Sequence, residues 1–329
     1  MVYISKRNVN RLLQVKIVQC HSSWLEKKLK KLSFSSKSQT LGLILVILSY
    51  ALTKFYDTET NWLCKIALSI TLPISFISFF TSEPISENKD EMDPKELVNI
   101  FQRFFWTIFY TNLLALCFIH VVPEDISKIM LLCSIHTLLY ISAWADYYKK
   151  STHSSMTPFR TTEINFFLIT FFILHITIIN PPFPFPSIAI TLLTLYSTFQ
   201  FLKIFTYVLL TNDQSSLLIL APILILNINL MFWFYIDLFT SFKTSIFLTH
   251  SVLNILVSYK LKVFTAAQEP ITWSQIEIIA ESLFLLHEST IKQIPTHPTF
   301  VLICIFIFLR CFSLHFSLSK QLKTYFRLV

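Results

Sequence analysis

The amino-acid sequence predicts an all-α, polytopic membrane protein of about ten transmembrane helices. Three observations carry that prediction. Hydrophobic residues make up 53% of the 329 residues and charged residues only 14%, against about 25% charge in an average soluble domain. Mean hydropathy is +0.59. The apolar residues fall into separate runs, each close to the roughly 20 residues needed to cross about 30 Å of hydrocarbon.

These runs cover residues 40–56, 62–80, 103–122, 128–147, 164–180, 186–210, 216–236, 244–260, 275–290 and 298–318. The ninth differs from the rest. It carries Glu277, Glu281, His287 and Glu288, and a charge at the bilayer centre costs at least about 2.5–3.5 kcal/mol on insertion scales. It is therefore a sheltered span or an interfacial helix, and its acids must be hidden against protein or water. The run from Pro181 to Pro186 is a loop, because its prolines exclude helix.

Two segments are polar. In 14–32, Trp24, Leu25, Leu29 and Leu32 alternate at helical spacing with Lys27, Lys28, Lys30 and Lys31, the pattern of a basic amphipathic helix on a membrane surface. A plain solvated juxtamembrane helix has the same composition. The second polar segment, 84–103, joins two spans.

Formal net charge is +8, with the excess concentrated before the first span. Lys149, Lys150 and Arg160 follow the fourth span, Lys260 and Lys262 end the eighth, and Lys320, Lys323 and Arg327 form the tail. The intervening loops carry Asp57, Glu59, Glu124 and Asp125 instead. Positive-inside asymmetry then puts both termini in the cytosol. The basic front also suits anionic head groups, and no nucleic-acid partner is expected because no separate basic domain exists to fold. The division expected is a cytosolic segment 1–39, a membrane domain 40–319 and a cytosolic tail 320–329.

Composition excludes several chemistries. The one glycine, Gly42, leaves no Gly-rich phosphate loop or dinucleotide fingerprint and no paired-glycine helix packing motif. Cys20, Cys64, Cys117, Cys133, Cys304 and Cys311 form no C-x-x-C pair, so neither a disulfide framework nor a zinc pattern is expected. There is no Asn-x-Ser/Thr acceptor. Nor does a short apolar core precede a small-residue cleavage site, so no cleaved signal peptide is expected.

Other polar residues lie within the spans. His136, His175 and His250 read as packing histidines, and Lys65 and Arg310 as residues near span ends that snorkel. Trp144 and Asp146 lie near the end of the fourth span. Asn227, Asn229 and Asn254 are expected to hydrogen-bond between helices.

The order of these features resembles the eukaryotic choline/ethanolamine phosphotransferases of the CDP-alcohol phosphotransferase family. Three stretches carry the likeness: Ile4-Ser5-Lys6 through Arg11-Leu12-Leu13 and on to Trp24-Leu25; Leu139 through Tyr148 followed by Thr162-Glu163-Ile164; and Val252 to the end, with Leu309-Arg310-Cys311 and Tyr325-Phe326-Arg327-Leu328. The resemblance spans essentially the whole chain. It implies a ten-helix bundle of that family's kind, a membrane such as the endoplasmic reticulum, and a homodimer or a heterodimer with a related phosphotransferase.

The family's chemistry lies in one signature, D-G-x2-A-R-x8-G-x3-D-x3-D, whose acids hold divalent metal on the diphosphate and supply a base. Metal neutralises the diphosphate, and oxygen ligands suit Mg²⁺. With Pro94-Lys95-Glu96-Leu97 as the anchor, the signature positions are held by Thr81, Ser82, Ile85, Ser86, Lys95, Asn99 and Arg103. None is Asp or Gly, and an arginine where the last acid belongs repels Mg²⁺. The resemblance therefore implies a catalytically degenerate member, with no cofactor: a lipid-binding or partner-binding scaffold or regulator in phospholipid synthesis. Two alternatives stay open. One is an active enzyme making phosphatidylcholine or phosphatidylethanolamine from diacylglycerol, with Mg²⁺ or Mn²⁺ on relocated ligands Glu87, Asp90 and Glu91, which share a face if that loop is helical. The other is a lipid or small-solute transporter.

Overall fold

The computed structural model describes residues 37–53, 62–80, 94–122, 124–148, 161–177, 185–210, 214–236, 238–267, 275–290 and 296–325. The described residues form ten α-helices: α1 Lys37–Thr53, α2 Trp62–Phe80, α3 Pro94–Ile119, α4 Asp125–Tyr148, α5 Thr161–Thr177, α6 Phe185–Leu210, α7 Gln214–Trp233, α8 Leu238–Ala267, α9 Ile276–Thr290 and α10 Thr296–Tyr325. Each apolar run of the sequence corresponds to one helix. The amphipathic segment 14–32 lies outside the described residues.

Helix ends differ from the apolar runs where polar residues extend a helix. α3 begins at Pro94, where a proline costs nothing because the first N–H groups have no intrahelical partner. Half of the polar segment 84–103 is thus the first turns of α3. α8 runs from 238 to 267 rather than 244 to 260, with a break in helical backbone geometry at Phe242.

Among the described residues four helices contain stretches long and apolar enough to cross a membrane: Leu63–Phe80, Asp125–Trp144, Ser187–Thr206 and His297–Gln321. Gln39–Thr53, Thr161–His175 and Leu218–Trp233 are apolar but shorter. An all-helical chain with several such helices is a helical membrane protein by its composition.

Position in the bundle explains which helices are polar. α8 packs on α3, α4, α7 and α10, and its residues from Thr249 to Leu261 are all buried. Surrounded on every side, it keeps His250, Asn254, Ser258 and Lys260 away from hydrocarbon, and Lys260 is paired with Glu277 of α9. The outer helices have no such cover. α6 exposes Ile188, Leu192, Leu195, Phe199 and Leu202, and α2 exposes Leu63, Ile66, Ile70 and Ile74. In a bilayer, hydrocarbon covers these faces.

Small hydroxyls and one glycine set the closest helix approaches. Gly42 on α1 faces the α2 backbone at Ser75 and Phe79. Two turns further along α1, the hydroxyls of Ser49 and Thr71 meet at 2.9 Å. Ser75 in turn meets the Tyr110 hydroxyl of α3 at 2.8 Å, and Phe79 stacks on the Tyr110 ring at 4.6 Å. The single glycine thus makes a close helix contact without any paired-glycine motif.

Both internal prolines sit in helices, Pro73 in α2 and Pro222 in α7. A proline disturbs the hydrogen bonds of the preceding turn. In α7 the residue after the carbonyl that Pro222 leaves without its helical donor is tied to the neighbouring helix, since the buried Tyr140 hydroxyl of α4 donates to the Ile219 carbonyl.

Candidate functional site: a buried charge network on α7 to α10

α9 is short, 15 residues, and its polarity is inverted relative to a soluble helix. Glu277, Glu281 and Glu288 face inward with Ile278, Phe284 and Leu285, while Ile276, Ile279, Leu283 and Leu286 are 48–60% exposed. The spacing of i, i+4 and i+11 puts the three acids on one stripe. Apolar solvent outside and protein inside is the environment in which this arrangement is favourable. The requirement that the ninth segment hide its acids is met by protein.

Each of the first two acids has its own set of donors. Glu277 receives Lys260 Nζ from α8 at 2.9 Å on Oε2 and Arg310 Nε from α10 at 3.0 Å on Oε1. Glu281, one turn on, receives Trp233 Nε1 at 3.0 Å on Oε1 and Asn229 Nδ2 at 3.1 Å on Oε2, both from α7. His250 Nε2 of α8 lies 2.7 Å from the same Oε1. That contact is close but poorly directed for a hydrogen bond. Asn229 and Ser282 exchange a further pair of bonds at 3.0 and 3.2 Å. Among the described residues Glu288 meets the neighbouring His287 Nδ1 at 3.4 Å.

This network joins four helices through two carboxylates. Its two carboxylates are nearly dry: the side chains of Glu277 and Glu281 are 1% and 2% exposed, and that of the adjoining His250 is 0%. Dehydrated charges are held only with several donors in good geometry, and both carboxylates have them. Intramembrane ionisable groups commonly mark substrate, ion or proton sites, which makes this the candidate functional site. Among the described residues no group of three His, Cys, Asp or Glu side chains is placed to hold a metal ion.

His136 of α4 is fully buried, and neither of its ring nitrogens has a hydrogen-bond partner among the described residues. It is within electrostatic range of His250. The expectation of a hydrogen-bonded packing histidine thus fails for His136, and His250 instead lies against the Glu281 carboxylate. His175 is half-buried, with Nδ1 unpartnered.

Two cations are placed differently from the sequence reading. Arg310 is near the middle of α10, not near a span end, and pairs with Glu277 instead of snorkelling. Lys260 is not a loop charge. It lies within α8 with its side chain 7% exposed, neutralised by Glu277, so it drops out of any count of loop charges. Lys65 sits in the first turn of α2, as a snorkelling residue should.

The asparagines divide. Asn227 bridges α7 to Thr137 of α4 at 2.8 Å, and Asn229 bridges α7 to α9. Asn254 instead accepts from Ser258 of its own helix at 3.4 Å.

Of the degenerate signature positions, Thr81, Ser82, Ile85 and Ser86 lie outside the described residues, as do Glu87, Asp90 and Glu91. Lys95, Asn99 and Arg103 fall four residues apart on the first turns of α3. Arg103 is half-buried, and its carbonyl accepts from Thr107 at 2.7 Å. Trp144 is buried at 2% exposure in the last turns of α4, and Asp146 is two residues beyond it.

Compared with known proteins, the chain matches no family model and no curated protein.

Proposed function

We propose that this chain is a non-catalytic, choline/ethanolamine phosphotransferase-like membrane protein with ten transmembrane helices. It acts as a lipid-binding or partner-binding scaffold in phospholipid synthesis, in the endoplasmic reticulum or a related membrane, with both termini cytosolic. The observation that carries the reading is the stripe on α3. Where the resemblance calls for glycine and two acids, the chain has Lys95, Asn99 and Arg103 at successive turns. A cation at the last position raises the cost of bringing a divalent metal there. The partners implied are membrane lipids and a second copy or a related phosphotransferase.

The test is a phosphotransferase assay on purified protein with CDP-choline or CDP-ethanolamine, diacylglycerol and Mg²⁺ or Mn²⁺. The expected result is no turnover above a no-protein control while the protein stays monodisperse. Turnover that disappears when Glu87, Asp90 and Glu91 are replaced by Ala overturns the proposal and establishes a rebuilt metal site.

One observation favours a second reading, that of a transporter. Glu277, Glu281 and Lys260 of α8 and α9 are buried, and Glu277 and Lys260 are paired, as in proteins that move ions or protons through a helical bundle. Accessibility of α8 cysteine substitutions to membrane-impermeant thiol reagents from both sides supports it. Access from the cytosolic side alone supports the phosphotransferase-like cavity.

A further inference from the structure

Arg310 uses only part of its donor set. Its Nε donates to Glu277 Oε1 at 3.0 Å, and among the described residues its two terminal nitrogens make no hydrogen bond or ion pair. Those nitrogens carry most of the guanidinium N–H groups, in a planar fork that matches two oxygens of a phosphate or carboxylate. Glu277 does not fill that fork, because its other oxygen already receives Lys260 Nζ at 2.9 Å. The Arg310 side chain is 39% exposed. It falls inside the apolar stretch His297–Gln321, next to the outward-facing Leu309. A guanidinium turned toward hydrocarbon without an anion is costly.

The surface around the fork points to the kind of anion. Glu277 is in the first turn of α9, so Arg310 lies level with that end of α9. From there the two helices run antiparallel: Glu277 meets Arg310 at one level and Phe284 meets Phe300 at the next, at 6.2 Å. Apolar side chains face outward along both, Ile279, Leu283 and Leu286 on α9 and Leu309, Ile305 and Leu302 on α10. Glu277 to Leu286 measures about 14 Å along the axis at roughly 1.5 Å per residue. One leaflet of hydrocarbon is about 15 Å thick, half of the bilayer core. A cationic fork at one end of an apolar strip one leaflet long has the layout of a phospholipid, phosphate first and acyl chains after.

We propose that the Arg310 fork binds the phosphate of an anionic glycerophospholipid whose acyl chains lie along α9 and α10. Lys260, on the same carboxylate, adds positive charge beside the phosphate and disfavours a head group that carries its own ammonium. The inference rests on the lipid-binding part of the reading above and not on the absence of turnover.

Native mass spectrometry of the full chain in detergent, titrated with dioleoyl phosphatidic acid, tests it. Wild type is expected to retain one phosphatidic acid more tightly than dioleoyl phosphatidylcholine. Arg310→Gln should weaken that first binding by about tenfold or more, the worth of one hydrogen bond to a charged group. Arg310→Lys keeps the charge without the planar fork and should fall between the two. Lys320→Gln, at an exposed cation further along α10, should bind as wild type does. Equal affinity in wild type and Arg310→Gln overturns the proposal. So does an equal loss in Lys320→Gln, which marks unspecific surface charge. Excess inorganic phosphate should leave the lipid in place, and displacement by it assigns the fork to a free anion and overturns the lipid. If Arg310→Gln is not monodisperse, Leu283→Asn/Ile305→Asn decides, since it leaves the ion pairs untouched: weaker retention supports the proposal and unchanged retention overturns it. The phosphotransferase assay is read separately. Turnover there overturns the non-catalytic reading and leaves this site standing, and loss of lipid selectivity does the reverse.

Discussion

Gly42→Ala tests the packing logic of the bundle most directly. A Cβ built at Gly42 lies 2.7 Å from Phe79 Cβ, 2.8 Å from Phe79 N and 2.8 Å from the Ser75 carbonyl oxygen. Those distances are 0.6–0.7 Å short of the 3.4 Å at which ordinary van der Waals contact begins. Two of the three atoms are backbone, so no rotamer change removes the clash. Moving Phe79 is also blocked, because its ring stacks on buried Tyr110 at 4.6 Å. The remaining response is for α1 to draw away from α2, which strains the Ser49–Thr71 hydrogen bond of 2.9 Å. Overpacking of this kind costs about 1–3 kcal/mol. Replacing a helical glycine by alanine returns about 1 kcal/mol. With all three contacts under 3.0 Å the overpacking cost falls in the upper half of its range, so the net expectation is a loss of about 1–2 kcal/mol, read as a fall of about 2–8 °C in apparent melting temperature on the scale of soluble domains. The assay is thermal unfolding by intrinsic fluorescence in one fixed detergent. Leu41→Ala, at an exposed neighbouring position, is the control and should change little. An unchanged or raised melting temperature for Gly42→Ala refutes the argument that α1 and α2 meet backbone to backbone at this residue.

Glu277→Ala removes the acid shared by Lys260 and Arg310, and a cation left buried without its partner is destabilising by about 3–5 kcal/mol. The effect should fall at the lower end, because the Arg310 side chain is 39% exposed and can turn outward; the fraction of monodisperse protein on size exclusion measures it. Tyr140→Phe removes the hydrogen bond from α4 to the Ile219 carbonyl, at a cost of about 0.5–1.5 kcal/mol, and a melting temperature equal to wild type would show that this bond does not help hold α4 to α7. Asn227→Ala should cost about 0.6 kcal/mol, the average for an interhelical bond in membranes. Asn254→Ala removes only a long bond within α8, so a larger loss there than at Asn227 would contradict the assignment of bridging roles.

The sequence by itself determined that the chain is helical, how many helices to expect and roughly where each lies. Apolar run length is a local property, and helix hydrogen bonds are local too, so no partner need be known. That reasoning worked best where the apolar run and the helix coincide, as in Trp62–Phe80. It erred where a helix continues through polar residues, at the start of α3 and at both ends of α8, because hydropathy reports the surroundings of a segment rather than its backbone. The demand that Glu277 and Glu281 find shelter was also legible, since four charges or histidines in one apolar run cannot face hydrocarbon. Which groups would answer them was not. Lys260, Arg310, His250 and Trp233 are separated from those acids by 17 to 48 residues. In the sequence they read as a loop charge, a snorkelling residue, a packing histidine and an ordinary aromatic. Only the packing of α7, α8 and α10 around α9 turns them into one network, because an ion pair depends on distance through space, and the sequence records distance only along the chain.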